Sequence, residues 1–320
     1  MVPWAAPGPL PVVVEDGQWQ DEARGRTLRW RAWRPRTAAP VPCVIHSHGL
    51  GGSSASGADW LAHWASWGIA ALAVQHPGTD AGALASASPL ALRHLLRTAV
   101  DAEQLAARRD DLLFALDRIG DSLAAGRVSG TERNDRTDHT DCPDCPGFAD
   151  AADAFPAIGL SGHSFGAASV LRLIGERRGG DDRPADARIA AAILFSPSAR
   201  GGSLPLTERF ADVRLPCLHL TGSQDSGIGP GDITAADRLL PFAHMPGPAQ
   251  YLLVLDGATH PEFSGQTGEG AGTARPAHRV ALKAVSAAFW RAQLAGDADA
   301  AAWLAQAPLP VGIAGHWQRK

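Results

Sequence analysis

A serine framed by glycines is the side chain of this sequence best suited to covalent chemistry. Ser164 is the centre of Gly162-His163-Ser164-Phe165-Gly166, a G-x-S-x-G pattern. A short apolar run precedes it at 158–160, and small and apolar residues with helical spacing follow it from Ala167. This context predicts a sharp strand-to-helix turn that presents the serine hydroxyl. The flanking glycines are expected because a Cβ two residues from such a serine would meet neighbouring backbone.

An acid and a base follow two later strands, in the order that serine hydrolases use. Asp225 follows the predicted strand that ends at Gly222, and His260 follows the one that ends at Asp256. The carboxyl ends of parallel strands share one edge of a sheet, so these side chains are expected to meet Ser164. His260 would take the serine proton and Asp225 would hold the imidazole.

Other acids compete for the third role. Asp232 and Asp237 follow the same strand as Asp225, whereas Asp256 is too close to His260 along the chain to face it. Asp225 before Ser-Gly is also compatible with a simple turn, and His260 with a surface loop.

Attack by a serine creates an oxyanion, which needs preorganised hydrogen-bond donors. The N–H of Phe165, at the start of the predicted helix, is one candidate. The second donor is expected from the loop at 48–52, His-Gly-Leu-Gly-Gly, with Leu50 as the donor. Gly49, His76 and His163 are predicted to border the substrate.

Several buried strands alternate with helices and would position these side chains. Strands are predicted at 12–14, 28–33, 40–48, 69–75, 158–160, 188–196, 215–222 and 250–256, and helices at 60–67, 89–125, 275–294 and 298–305. Alternation of this kind indicates an α/β fold, with a mostly parallel sheet and helices on both faces. Residues 28–33 alternate in polarity, which favours an antiparallel edge with one wet face. We expect one domain over 1–320, with a polar insertion at 126–147 that caps or borders the site.

Composition excludes some classes of function. The 320 residues carry a formal net charge of −4, which gives no electrostatic case for nucleic acid or an anionic membrane. No apolar run approaches the ~18 residues of a spanning helix. The N-terminus lacks the pattern of a secretory signal, so the protein is expected to be cytoplasmic, or secreted if a signal was removed.

Histidine and cysteine patterns leave two alternatives open. His46 and His48 lie two residues apart on one strand face and could be metal ligands or buried structural histidines. The C-x-x-C at Cys142 and Cys145 could be a zinc half-site, a local disulfide or free thiols, and no second C-x-x-C completes a zinc site.

The remaining cysteines and a group of tryptophans are expected to pack in the core. Cys43 and Cys217 lie in apolar strands. Trp60, Trp64 and Trp67 have helical spacing, which favours packing over a ligand cage.

The sequence resembles the α/β-hydrolase superfamily, and more narrowly bacterial esterases similar to platelet-activating-factor acetylhydrolase and to dienelactone hydrolases. The resemblance rests on HSHGLGG at 46–52, AVQHPGTD at 73–80, GLSGHSFGA at 159–167 and GATH at 257–260. The position of Asp225 in a Gln-Asp-Ser turn is similar to that in cutinase-type polyester hydrolases. Dienelactone hydrolases use a cysteine nucleophile, where this chain has Ser164.

The resulting expectation is a serine hydrolase of carboxylic esters that works through an acyl-enzyme, without metal or cofactor. Small to medium apolar or aryl esters are the expected substrates, including phthalate-type esters and polyester fragments. Two alternatives stay open: a lipase-like or acetylhydrolase-like enzyme on phospholipids or thioesters, and a noncatalytic binding protein of the same fold. Oligomeric state is not predicted.

Overall fold

The central feature of the fold is a long, mostly parallel sheet. The structure is a computed structural model that describes residues 2–86, 102–125, 155–180, 182–227, 233–267, 274–306, 309 and 312–320. Within them the strands are β1 Val12–Asp21, β2 Arg26–Pro35, β3 Cys43–Ser47, β4 Ala70–Val74, β5 Ile158–His163, β6 Ile189–Phe195, β7 Cys217–Gln224, β8 Gln250–Thr259 and β9 Gly315–Arg319. These strands form one sheet in the order β1-β2-β4-β3-β5-β6-β7-β8-β9.

Strand direction divides this sheet into a parallel centre and antiparallel edges. Neighbours from β4 through β8 pair in parallel. The β1–β2, β2–β4 and β8–β9 pairs are antiparallel. The parallel strands therefore bring their carboxyl ends to a common edge.

Helices cover both faces of the sheet. Their bounds are α1 Ala58–Ser66, α2 Ala81–Ser86, α3 Ala102–Ala125, α4 Phe165–Leu173, α5 Leu206–Arg209, α6 Leu240–His244, α7 Pro276–Leu294 and α8 Ala298–Ala305, with 3-10 turns at Asp237–Leu239 and His260–Ser264. None of the described helices is long and apolar enough to cross a membrane.

The core consists of two layers because successive strand side chains point to opposite faces. Val44 of β3 packs with Trp60, Trp64 and Trp290 of α1 and α7. Its neighbour Ile45 belongs to the second layer, together with residues of α3 and α4. Trp60 and Trp64 are thus core residues, as their spacing predicted, and Trp67 packs against the same layer.

The predicted α/β architecture is confirmed, including the antiparallel edge formed by β1 and β2. The strand β9 was not predicted, because its residues are mostly polar and only pairing with β8 makes them extended. The helix expected over 89–125 is present from Ala102, and positions 89–101 lie outside the described residues. The 126–147 insertion, with Cys142 and Cys145, also lies outside them.

Candidate active site

Ser164 occupies a strained turn between β5 and α4. Its backbone has φ 54° and ψ −112°, a conformation that costs a non-glycine residue about 1–3 kcal/mol. The Ser164 N–H donates to the carbonyl of Phe195 on the neighbouring strand β6, at 2.9 Å. Strand and helix together hold the turn, so the hydroxyl is presented at the carboxyl edge of the sheet.

The glycines around Ser164 are required by close backbone contacts. A Cβ on Gly166 would lie 1.9 Å from the carbonyl oxygen of Ser47, on strand β3. A Cβ on Gly162 would lie 2.4 Å from the carbonyl carbon of Gly166. Both distances are far inside van der Waals contact, which confirms the steric role predicted for the two glycines.

The three side chains predicted to meet form a hydrogen-bonded chain. Ser164 Oγ lies 3.0 Å from His260 Nε2. His260 Nδ1 lies 2.7 Å from Asp225 Oδ1. Asp225 is fully buried, whereas 12% of the His260 side chain is exposed. The geometry suits proton transfer from the hydroxyl to the imidazole, with the carboxylate behind it.

The Asp225 carboxylate is held from several sides. Thr221 Oγ1 donates to its second oxygen at 2.7 Å, and Arg238 Nε lies 3.3 Å from the first. Burial alone would raise the pKa of Asp225, but the hydrogen bond from His260 and the charge of Arg238 hold that pKa below its usual value. The group is therefore ionised at neutral pH.

The competing acids lie elsewhere. Asp237 accepts hydrogen bonds from the backbone and hydroxyl of Thr234 at the start of a 3-10 turn. Asp256 is exposed on β8. Asp232 lies outside the described residues.

Arg238 is a site residue that the sequence did not reveal. Its side chain is 2% exposed, and it donates to the carbonyls of Ser196 at 2.8 Å and of Asp225 at 3.3 Å. It lies in a short stretch without a motif, so nothing in the sequence distinguishes it from a solvated arginine.

The proposed oxyanion donors come from two segments, the start of α4 and the loop after β3. Phe165 opens α4, so no carbonyl within that helix can accept from its N–H. Leu50 lies in the loop after β3, where Gly52 N–H donates to Gly49 O at 3.1 Å and Gly51 N–H donates to Thr79 O at 2.9 Å. The loop that contains Leu50 is thus held by backbone hydrogen bonds on the two residues that follow Leu50.

His163 and Gly49 pack together beside His260. The His163 Nε2 lies 3.3 Å from the His260 carbonyl oxygen, and the two rings are 4.8 Å apart. A Cβ on Gly49 would lie 2.9 Å from His163 Nδ1, so glycine permits this approach. Burial, followed by the proximity of His260, lowers the pKa of His163 well below its ordinary value. A neutral His163 can donate to the His260 carbonyl.

The expectation that His76 borders the substrate is corrected by its burial. Its side chain is fully buried; Nε2 lies 2.9 Å from Ser47 Oγ, and Nδ1 lies 3.0 Å from Asp111 Oδ2. Ser47, His76 and Asp111 therefore form a second Ser–His–Asp chain, beneath α3. All three side chains are fully buried, so this chain is closed to substrate. Its hydrogen bonds link Ser47 of β3 and His76, which follows β4, to Asp111 of α3.

His46 and His48 are buried and hydrogen-bonded. His46 Nδ1 lies 2.9 Å from Ser161 Oγ, and His48 Nε2 accepts from the His76 N–H at 3.0 Å. No group of three or more His, Cys, Asp or Glu in the described ranges is arranged to hold a metal ion. Cys43 and Cys217 are free, buried thiols, as their packing role predicted.

A cavity of about 650 Å³ lies near the carboxyl end of β4. It is lined by Gln18, Thr27, Arg29, Gln75, Pro77, Gly78, Asp80, Gly82 and Ala83. None of these residues belongs to the Ser164 chain, so the cavity does not contain the reactive hydroxyl.

Comparisons with known proteins bear on the fold. No protein-family model matches the chain, and no curated protein matches it significantly. Among solved structures, the chain is similar to a cold-adapted esterase from an Arctic intertidal metagenomic library, described as a PEG-bound complex. The TM-score is 0.57 at 18% identity, over 88% of this chain and 94% of the other. Together with the strand order, this likeness shows that the chain has the α/β-hydrolase fold.

Proposed function

We propose that this chain is a serine hydrolase that cleaves carboxylic esters through an acyl-enzyme. The observation that carries the proposal is the hydrogen-bonded chain from Ser164 to His260, at 3.0 Å, and from His260 to Asp225, at 2.7 Å. The strained backbone of Ser164, at a turn between a strand and a helix, adds support because this is the setting of a nucleophilic serine in hydrolases.

Each residue has a defined part in the proposed reaction. Ser164 Oγ attacks the ester carbonyl carbon while His260 Nε2 takes the hydroxyl proton. The resulting oxyanion accepts hydrogen bonds from the N–H groups of Leu50 and Phe165. The intermediate collapses when the bond to the alcohol oxygen breaks, and His260 returns the proton to that oxygen. Asp225 holds the imidazole orientation and offsets its positive charge.

Water completes the cycle. A water molecule gives a proton to His260 and attacks the acyl carbon, forming a second oxyanion at the same donors. The bond to Ser164 Oγ then breaks, the serine recovers its proton from His260, and the carboxylic acid leaves.

The proposed substrates are neutral esters of small to medium size with apolar or aryl groups, which include phthalate-type esters and polyester fragments. The esterase with a similar fold supports ester cleavage as the reaction class. A panel of p-nitrophenyl and phthalate esters, with phospholipid and thioester substrates beside them, would separate these classes by kcat/KM.

Labelling with a fluorophosphonate probe tests the proposed chemistry directly. We expect one adduct, mapped to Ser164 by peptide mass analysis, which is lost in Ser164→Ala and strongly slowed in His260→Gln. Ser47 provides an internal control, since it also faces a histidine but is fully buried and is expected to stay unlabelled. Folded wild-type protein without an adduct on Ser164 would show that the proposal is wrong.

A further inference from the structure

Arg108 of α3 is a buried cation that contacts both sides of the proposed oxyanion site. Arg108 is 1% exposed. Nη1 donates to the carbonyl of His48 at 2.7 Å, and Nη2 lies 3.4 Å from the carbonyl of Gly49. The guanidinium carbon is 4.3 Å from the centroid of the Phe165 ring, a cation–π contact.

The carbonyl contacts constrain the direction of the Leu50 N–H. The Gly49 carbonyl and the Leu50 N–H belong to one planar trans peptide, so they point in opposite directions. Gly49 O also accepts from His48 Nδ1 at 2.6 Å and from Gly52 N–H at 3.1 Å. With its carbonyl held on the Arg108 side, this peptide directs the Leu50 N–H away from the guanidinium.

The Phe165 N–H is directed in a similar manner. The Ser164 carbonyl, which shares its peptide with the Phe165 N–H, accepts from Ala168 N–H at 3.1 Å inside the first turn of α4. The N–H therefore points out of the helix N-terminus. Arg108 contacts the Phe165 ring, so one guanidinium touches both the Gly49 carbonyl and the Phe165 side chain.

The position of Arg108 is itself fixed. Nε donates to Thr79 Oγ1 at 2.9 Å, and Thr79 O accepts the Gly51 N–H of the same loop. One helical turn further along α3, Asp111 holds His76 and, through it, Ser47 at the end of β3. The negative charges of Asp111 and Asp80 favour the charged form of Arg108. Burial lowers the pKa of Arg108 to about 9, which leaves the group charged at neutral pH.

We propose that Arg108 is a positioning residue for the oxyanion donors: it sets the Gly49–Leu50 peptide and supports Phe165. The inference rests on the proposed ester hydrolysis and deepens it. A buried charge that donates to neutral carbonyls is costly unless its contacts are useful, and here the contacts converge on the loop after β3 and on the first residue of α4. Arg108 does not touch the reacting atoms in this assignment.

A comparison of an ester with its thionoester tests this role. Sulfur is a weak hydrogen-bond acceptor, so well-placed oxyanion donors favour the oxygen ester over the sulfur analogue. We expect Arg108→Met to lower kcat for the ester about 10- to 100-fold with little change in KM, less than the ~10²–10³-fold loss that follows removal of a whole donor. The thionoester should lose less, so the ester-to-thionoester ratio of kcat should fall about tenfold.

Further variants keep the test decisive. Arg108→Lys retains the charge but cannot reach both carbonyls, and is expected to be intermediate. Thr79→Val removes the acceptor of Arg108 Nε, together with the hydrogen bond from Thr79 Oγ1 to the His76 carbonyl, and is expected to shift the ratio in the same direction by less. Both serve if Arg108→Met fails to fold. Arg172→Met is the control, since Arg172 is buried near the C-terminal end of α4, donates to the Glu176 carbonyl and forms an ion pair with Asp182. Its ratio should equal that of wild type.

The outcomes separate this inference from the function on which it rests. If wild type is labelled at Ser164 and hydrolyses esters, but the ratio is unchanged in the folded Arg108 and Thr79 variants, Arg108 has a general structural role and the inference is wrong. If wild type neither hydrolyses esters nor is labelled, the proposed function fails and the inference falls with it.

Discussion

Nη2 of Arg238 lies 3.0 Å from Nδ1 of His260, the same nitrogen that lies 2.7 Å from Asp225 Oδ1. Arginine can only donate, so Nδ1 cannot accept from Arg238 and also donate to Asp225. The shorter contact favours donation to the carboxylate, which leaves Nε2 free to accept the Ser164 hydroxyl. Arg238 is then a fixed positive charge beside the imidazole, and it also holds the Asp225 loop through the carbonyls of Ser196 and Asp225.

Replacement of Arg238 by methionine is expected to lower catalytic efficiency. Loss of its charged hydrogen bonds loosens Asp225 and should lower kcat/KM about 10- to 100-fold, the equivalent of about 1.5–3 kcal/mol. Asp225 and Arg238 are the charged groups that contact the His260 ring.

Steady-state kinetics of p-nitrophenyl ester hydrolysis at neutral pH measure this loss. Arg238→Lys serves as the conservative comparison, since it retains the charge without the forked donors, and is expected to lose less activity than the methionine variant. A methionine variant with unchanged kcat/KM would assign Arg238 to packing alone.

Asp225→Asn is expected to lower kcat by about 10⁴-fold with little change in fold, because an amide N–H facing Nδ1 favours the wrong imidazole tautomer. Asp256→Asn is the control, since Asp256 is an exposed acid on β8, the strand that His260 follows. Rates of p-nitrophenyl ester hydrolysis check both variants. Equal losses in the two, or a near-normal Asp225→Asn, would remove Asp225 from the proposed role.

Gly166→Ala is expected to destabilise the protein by about 1–3 kcal/mol or to prevent folding, because its Cβ would lie 1.9 Å from the Ser47 carbonyl oxygen. Gly82→Ala, in α2, would place its Cβ 3.8 Å from the Asp80 carboxylate and should be neutral or slightly stabilising. Urea unfolding followed by circular dichroism compares the two. Similar midpoints for both variants would contradict the steric account of the serine turn.

The buried histidines His219 and His63 are expected to make the free energy of unfolding fall in mild acid. Burial lowers the pKa of His219 to about 3, and burial likewise lowers the pKa of His63 to about 4. Because the folded pKa lies below the unfolded value of about 6.5, the unfolded state binds more protons. The stabilisation is fully present above pH 6.5 and is lost progressively as the pH falls toward the folded values.

The free energy of unfolding at pH 7.5, 5.5 and 4.5 tests this dependence. Each such histidine contributes up to about 1.4 kcal/mol per pH unit below pH 6.5. His219→Met removes one titrating group in the core, so its stability should vary less steeply with pH than that of wild type. Identical slopes would show that His219 does not titrate differently on folding.

Much of the fold follows from local patterns in the chain. The apolar strands 43–47 and 70–74 are short and uniformly buried, and they alternate with helices in a way that few architectures satisfy. The turn at Ser164 was predictable from the G-x-S-x-G pattern between a strand and a helix. The contact of Gly166 with Ser47 shows why that position requires glycine. The meeting of Ser164, Asp225 and His260 followed from their places after parallel strands.

Burial of polar groups depended instead on what packs over them. The second chain has the same residue types as the Ser164 chain and similar hydrogen bonds, from Ser47 to His76 and from His76 to Asp111. His76 also follows a strand end, yet all three side chains are fully buried, with Asp111 supplied by α3. Arg108 and Arg238 carry no local signal, because a guanidinium is placed by distant carbonyls rather than by its neighbours in sequence. Strand, helix and turn patterns depend mainly on residues close in the chain and can be recognised in the sequence. Solvent access and the surroundings of a charge arise between distant segments, so only the assembled sheet and helices distinguish the open serine from the enclosed one.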